Sequence, residues 1–343
     1  MRRIRVRTFV LALLLPLPML AWDSPGHELV AGIAWDNMTA QARQQAITIL
    51  QKAPADACLT SLFPKDSRPL LDRQREFFML AATWPDVIRP DSNHDPKCNR
   101  FHQREWHFID HFWTGVSGGT DSKAPALANI DTPAVNAVER LGQFRSSMSC
   151  TTAACSPVVC DATKPCTRDQ DRAMQLAWML HLVGDIHQPL HTASHVTDKL
   201  KKGDGGGNLF PLSNDPNGPQ LHGFWDHIID DTIHLKAGEK GKTDIAYLDR
   251  VEKDTIVKDH PIGTLAGRIE SGKFDDWSKE GFAAAEANAY PSTLIMKQKP
   301  SAAYATSAFK IAEEAIALGG YRLADLLNQM LDPNAKPPAS ANK

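Results

Sequence analysis

The stretch from Asp169 to Asp185 limits the fold more than any other part of this 343-residue chain. It is the most apolar of the helical stretches, with Ala173, Met174, Leu176, Ala177, Trp178, Met179, Leu180, Leu182 and Val183, and a helix of that kind belongs in a core. Yet it carries His181 and Asp185, four residues apart and so on one face. A buried imidazole and carboxylate are costly without a partner. Pro189 then ends the helix, and the turn after it presents His191. A second pair at the same spacing follows in His222 and Asp226. One such pair alone reads as an ordinary hydrogen bond or ion pair. Two pairs together with His191 point instead to metal, and imidazole with carboxylate oxygen suits Zn²⁺.

The rest of the chain is also mostly helical. Apolar residues recur at helical spacing over 27–52, 69–84 and 132–148, and again over 221–235, 245–258, 262–270, 275–289 and 302–330. Strand alternation is scarce. The fold class expected is therefore all-α, a single mainly helical domain of residues 22–331. Two long loops interrupt it, one after Trp113 and one from Thr197 to Gln220, the latter rich in Gly, Asp, Asn and Pro. Residues 332–343 are polar and proline-bearing and read as a disordered tail.

The first 21 residues read as a secretory signal. Arg2, Arg3, Arg5 and Arg7 precede an apolar run from Phe9 to Ala21 that contains Pro16 and Pro18. That run is too short and broken to span a bilayer. Cutting after Ala21 makes Trp22 the mature N-terminus of an exported protein, periplasmic or secreted and without a membrane anchor. Without those arginines, 34 basic residues face 40 acidic ones, a formal charge of −6. A protein that grips phosphate backbones through lysine and arginine alone does not have this balance. All six cysteines (58, 98, 150, 155, 160 and 166) lie in the exported part. An even set in an oxidising compartment predicts three disulfides, with 15 connectivities open, ahead of a zinc knuckle over 150–166.

Three weaker signals remain. Thr83-Trp84-Pro85-Asp86 places a carboxylate just beyond a helix, with Arg89 three residues on. Trp106-His107-Phe108-Ile109-Asp110 combines an imidazole, an aromatic ring and an acid. The mature terminus, Trp22 to His27, offers a free α-amino group that binds metal through nitrogen once deprotonated, with its own carbonyl closing a chelate.

Together these segments resemble the S-one/P-one family of single-strand-specific zinc nucleases, which are type I nucleases and 3′-nucleotidases. The matching blocks run in order from Trp22 and His27 through Trp84-Pro85-Asp86 and Arg89, and then Trp106 to Asp110. His181, Asp185 and His191 follow, then Asp204-Gly205-Gly206-Gly207-Asn208, His222 and Asp226. Pro85 stands where that family usually has a small residue, and the cysteine-rich stretch is particular to this chain. The resemblance implies a helical fold around a three-zinc cleft. It assigns Asp86, His107, His181 and Asp185 to the first Zn²⁺. His191, His222 and Asp226 go to the second, and Trp22, His27 and a bridging Asp185 to the third. Asp86 and Arg89 take the catalytic roles, and Phe108, Asp110 and Asn208 bind the substrate base. The implied substrates are single-stranded nucleic acid and 3′-mononucleotides, cut by a monomer. Zinc-dependent phospholipases C share the N-terminal tryptophan and the zinc cluster and form the alternative. The Trp22–His27 spacing, the Phe108/Asp110 pair and the lack of an amphipathic interfacial helix favour the nuclease.

Overall fold

The computed structural model describes residues 22–335 apart from 91, 93, 94, 116–134, 151–154 and 217. The expected signal segment, the start of the helix at Thr132-Pro133 and residues 336–343 of the tail lie outside the described residues. Twelve α-helices, six 3₁₀ turns, one π-helical turn and two three-residue strands make up the described regular structure, and 60% of the structure is helical. The helices are α1 (Ser24–Asn37), α2 (Ala40–Leu50), α3 (Leu70–Val87), α4 (Ala137–Ser149), α5 (Arg168–Asp185) and α6 (Leu221–Asp226). After them come α7 (Ile228–Thr232), α8 (Ile245–Val251), α9 (Val257–Asp259), α10 (Ile262–Leu265), α11 (Phe274–Asn288) and α12 (Ala302–Leu331). The fold is all-α, as expected.

Helix α5 is the axis. It packs against α1, α2, α3, α4 and α12, and every residue from Ala173 to Asp185 is buried. Its start is fixed by a capping box, in which the Thr167 hydroxyl accepts from the Gln170 amide and Gln170 accepts from the Thr167 amide. Helix α1 is buried from Pro25 to Trp35 and is clamped mainly between α12 and α3.

Some boundaries differ from those the periodicity suggests. The single helix expected over 27–52 is two, because Met38 and Thr39 are extended and the Thr39 hydroxyl caps α2. The stretch 221–235 likewise divides at His227, and 245–258 passes through one π-helical turn, Glu252–Ile256. Helix α3 runs past Pro85 to Val87, so Asp86 sits in its last turn, not beyond it. Asp332, expected to begin the tail, is buried and accepts from the Thr39 hydroxyl at 2.8 Å.

The cysteines pair as Cys58–Cys98, Cys150–Cys155 and Cys160–Cys166. Asp171, although close to Cys160 and Cys166, accepts from the amides of Val158, Val159 and Cys160 and so anchors this loop to α5. With all six sulfurs in disulfides, the zinc-knuckle reading has no thiolates to use.

The two strands, β1 (His111–Trp113) and β2 (Ala193–His195), pair in parallel. The ladder continues upstream as the amides of Ile109 and His111 donate to the carbonyls of His191 and Thr192 at 2.9 and 3.1 Å. Two short chain segments, each carrying a histidine of interest, are thereby stitched together. Gly184 lets α1 approach α5 at the same level: a Cβ there would lie 2.7 Å from the His27 ring. Gly184→Ala is expected to destabilise the protein by about 1–3 kcal/mol through overpacking between two buried helices. Thermal unfolding of the variant against the parent checks this, and an unchanged Tm would show that the two helices have room to separate.

Candidate metal centre

The segments that carry the predicted ligands meet at the C-terminal end of α5. His27 comes from α1, Asp86 from the last turn of α3, and His107 from a 3₁₀ turn (Arg104–His107). His181 and Asp185 come from α5, His191 from a 3₁₀ turn (Pro189–His191), and His222 and Asp226 from α6. All are buried except Asp86, which keeps 16% of its side chain exposed.

They form three contiguous groups. In the first, His181 Nε2 lies 2.9 Å from His107 Nδ1, and each is 3.3 Å from Asp185 Oδ2. Asp86 Oδ1 is 3.9 Å from both nitrogens. In the second, His222 Nε2 lies 3.1 Å from His191 Nε2 and 3.6 Å from Asp226 Oδ2. In the third, His27 Nε2 is 3.4 Å from Asp185 Oδ1, and its ring stacks on that of His181 with centroids 3.9 Å apart. Ligands 2.0–2.2 Å from a tetrahedral ion stand about 3.3–3.6 Å apart. The observed spacings fall around that value.

Hydrogen bonding fixes which nitrogen each ring offers. Nδ1 of His181, His191 and His222 lies 2.7 Å from the carbonyl oxygens of Ala82, His107 and Gly206 respectively. A carbonyl only accepts, so these Nδ1 atoms carry the proton and Nε2 presents a lone pair to the site. His191 and His222 thus turn two acceptors toward each other, an arrangement that a shared cation stabilises. Gly206 holds its carbonyl in place with φ +63°, in the left-handed region where glycine is unstrained. Its loop is anchored by Asp204, which accepts from the His195 amide and the Tyr290 hydroxyl.

The electrostatics point the same way. Burial first, and then the neighbouring carboxylates Asp86 and Asp226, push the Asp185 carboxyl well above its ordinary pKa. Burial, followed by nearby imidazoles, pushes His27 and His107 well below theirs, and His181 falls to about 3. Neither oxygen of Asp185 accepts a hydrogen bond, nor does Asp226 Oδ2 or either His27 nitrogen donate or accept one among the described residues. Buried polar atoms of this kind are normally satisfied. Divalent cations would satisfy the Asp185 oxygens, Asp226 Oδ2 and His27 Nε2, and the all-nitrogen-and-oxygen donor set fits zinc without requiring it.

The other predicted residues lie close by. Trp22 is fully buried against Gly26, and the Asp23 amide donates to the Asp226 carbonyl at 3.4 Å, tying the start of α1 to the second group. Arg89 is buried, with Nη1 3.5 Å from Asp86 Oδ1. Phe108, Asp110 and Asn208 are half-buried. Burial and the nearby Asp204 raise the Asp110 carboxyl to about 6. Asn208 donates to the Gly205 carbonyl. It also lines a cleft of about 980 Å³ with His222, Phe224, Asp226 and His227, a wall that Phe108 and Asp110 do not share. Sequence reasoning missed the supporting layer: Gln188, Gly184 and the carbonyls of Ala82, His107 and Gly206. Backbone acceptors have no side-chain signature. Gln188, inside the strongest motif, was the one legible member.

A helical bundle whose buried imidazoles and carboxylates converge on the end of one core helix defines a candidate metal centre. The chain belongs to the S1/P1 nuclease family: the model for S1/P1 Nuclease matches residues 22–332, nearly the whole described structure. The protein is therefore a nuclease, a hydrolase acting on nucleic acids. No curated protein matches the chain.

Removing divalent metal with a chelator is expected to abolish activity and lower the Tm. A bound ion stabilises by about 4 kcal/mol at a free concentration a thousand times its Kd. Asp185→Asn is expected to cost more metal and more activity than Asp226→Asn, because Asp185 faces two groups and Asp226 one. Metal analysis beside a melting curve checks both; equal tolerance of the two substitutions would count against the grouping.

Proposed function

We propose that the chain is a zinc-dependent endonuclease that cuts single-stranded RNA and DNA to products with 5′-phosphate and 3′-hydroxyl ends. We also infer that it acts as a 3′-nucleotidase. The observation that carries this reading is Asp185, whose two oxygens face different sets of imidazoles, His107 and His181 on one side and His27 on the other. That is the disposition of a bridging ligand. Asp86, His107, His181 and Asp185 would hold the first Zn²⁺. His191, His222 and Asp226 would hold the second. His27, Asp185 and the Trp22 amine and carbonyl would hold the third.

Such ions supply Lewis acidity, activating water as a nucleophile near neutral pH and neutralising charge on the phosphoryl group. The chain's own residues do the rest. Asp86, the most exposed of these carboxylates, accepts a hydrogen bond from the attacking water and orients it toward phosphorus. Arg89 donates to the non-bridging phosphoryl oxygens as their charge grows, and its contact with Asp86 keeps the two roles in register. Phe108 stacks on an unpaired base, while Asp110 and Asn208 bond the base edge that a duplex hides. Single-strand preference then follows from geometry, since a paired base must unstack before it reaches this ring. Signal cleavage after Ala21 frees the Trp22 amine, and export delivers a monomer with three disulfides and no membrane anchor. Among the described residues no helix is long and apolar enough to cross a membrane.

Parallel assays on single-stranded RNA, a 3′-mononucleotide and a phosphatidylcholine emulsion test the reading. Cleavage of the RNA to 5′-phosphate and 3′-hydroxyl ends and release of inorganic phosphate from the 3′-mononucleotide are expected; lipid hydrolysis alone, or 3′-phosphate ends on the RNA products, would overturn it. Arg89→Ala is expected to lower kcat by roughly 10²–10³-fold with little change in KM, as for loss of one transition-state donor. Phe108→Ala is expected to raise KM for single strands roughly five- to 150-fold, the equivalent of about 1–3 kcal/mol of stacking. Steady-state kinetics on a single-stranded oligonucleotide separates the two effects. One residue left before Trp22 turns the amine into an amide, and mass-verified protein of that form is expected to be inactive and short of metal.

A further inference from the structure

We propose that Gln188 is the positioning residue of the second ligand group, the side chain that holds Asp226 and His191 in one zinc-binding geometry. The inference rests on the reading of that group as a zinc site and on nothing about the substrate.

Gln188 is fully buried and immediately precedes the turn that carries His191. Its Nε2 donates to Asp226 Oδ1 at 2.7 Å, and its Oε1 accepts from the Leu190 amide at 2.5 Å. The amide orientation is unambiguous, because a carboxylate needs a donor and a backbone N–H needs an acceptor. One planar group thus joins two ligand-bearing segments 38 residues apart in sequence. Its donor end occupies Asp226 Oδ1 and leaves Oδ2, which accepts no hydrogen bond, toward His222 Nε2 at 3.6 Å. Its acceptor end closes the turn that places His191 opposite His222. Without the donor, the Asp226 carboxylate is free to rotate about χ2 and both oxygens lose their fixed aim.

The surroundings leave the turn little room to compensate. The adjacent His187 is buried, with Nδ1 2.7 Å from the Val183 carbonyl and Nε2 accepting from Arg322 Nη1 at 3.0 Å. Arg322 is itself held by Glu280 and the Arg268 carbonyl. Behind the turn, a Cβ on Gly281 of α11 would lie 2.8 Å from Thr192 Oγ1 and 3.1 Å from the Ile186 carbonyl. A segment gripped this closely from α11 and α12 does not shift to follow a displaced carboxylate.

The test is chelator competition on the zinc-loaded protein, with zinc counted by mass spectrometry at each chelator concentration. Parent, Gln188→Leu and Gln188→Glu are compared, and near-UV circular dichroism monitors folding. Gln188→Glu keeps the volume and the acceptor for Leu190 and, when ionised, has no donor for Asp226, so the titrations are run at about pH 8 and it also serves if the leucine variant does not fold. Both variants are expected to release one zinc at 10–100-fold lower chelator concentration than the parent, with the remaining zinc unaffected. Release identical to the parent would overturn the inference. So would a Gln188→Glu profile matching the parent beside a weakened Gln188→Leu, since the side chain would then serve the turn alone. A parent that binds no zinc at this group would instead refute the zinc reading, and the inference with it.

Discussion

The rest of this structure depends on one buried carboxylate. Asp185 lies at the end of the central helix with no exposed surface and no hydrogen bond to either oxygen among the described residues. A bare carboxylate in that position is untenable at neutral pH: it takes up a proton or it is met by cation. Protonation alone leaves the four imidazoles that lie within 3.9 Å of it, from His27, His107, His181 and His191, crowded together without charge between them. On the proposed reading, cations would relieve these contacts together. The core helix, the close approach of α1 permitted by Gly184, and the parallel stitch between the His107 and His191 segments all bring candidate ligands to this point.

How much of this was legible in the sequence varies with the kind of signal. Helix α5 was read within a residue, because an apolar helix bounded by Thr167 and Pro189 has both its periodicity and its ends written in side chains. The candidate pairs His181/Asp185 and His222/Asp226 were legible for the same reason, since His and Asp four apart share a face whatever surrounds the helix, whereas His27, Asp86 and His107 were weak signals until the resemblance joined them. The breaks at Thr39 and His227 were not, since apolar spacing continues across both. Thr39 becomes an N-cap only because its amide and hydroxyl bond Asn328 and Asp332, almost three hundred residues away. The position of Asp86 within α3 was missed because Pro85 reads as a terminator. In the last turn, however, proline removes only one backbone bond and the helix runs on.

The layer behind the ligands shows a different limit. Three of the five imidazoles are oriented by backbone carbonyls, and a carbonyl is the same in every residue. What identifies Ala82, His107 and Gly206 as anchors is the path of the chain, which only the fold supplies. Gln188 differs because a buried amide must be satisfied at both ends, so its presence beside a ligand-bearing turn carries information. On the proposed reading, specificity for metal resides as much in these second contacts as in the ligands, because they select the tautomer that can bind.

Covalent and metal-based constraints divide the chain between them. The three disulfides close spans of 40, 5 and 6 residues, and none joins two ligand segments. Cys58–Cys98 brackets α3, and the other two pairs confine the loop that Asp171 fastens to α5. The ligand segments, by contrast, run from α1 to α6 and come together only in the folded core. Loop closure over such distances is entropically costly, and here it is met by helix packing and, on the proposed reading, by the metal ions. The disulfides therefore tie the periphery, whereas on the proposed reading the centre would be complete only with its cations bound. The same cations would answer the charge problem posed by the sequence. On the proposed reading a processed chain of formal charge −6, with carboxylates gathered in its site, would repel a polyanion until divalent ions reversed the local field. Metal loading is then a condition for substrate attraction as well as for chemistry, and a metal-free protein should fail at binding before it fails at catalysis.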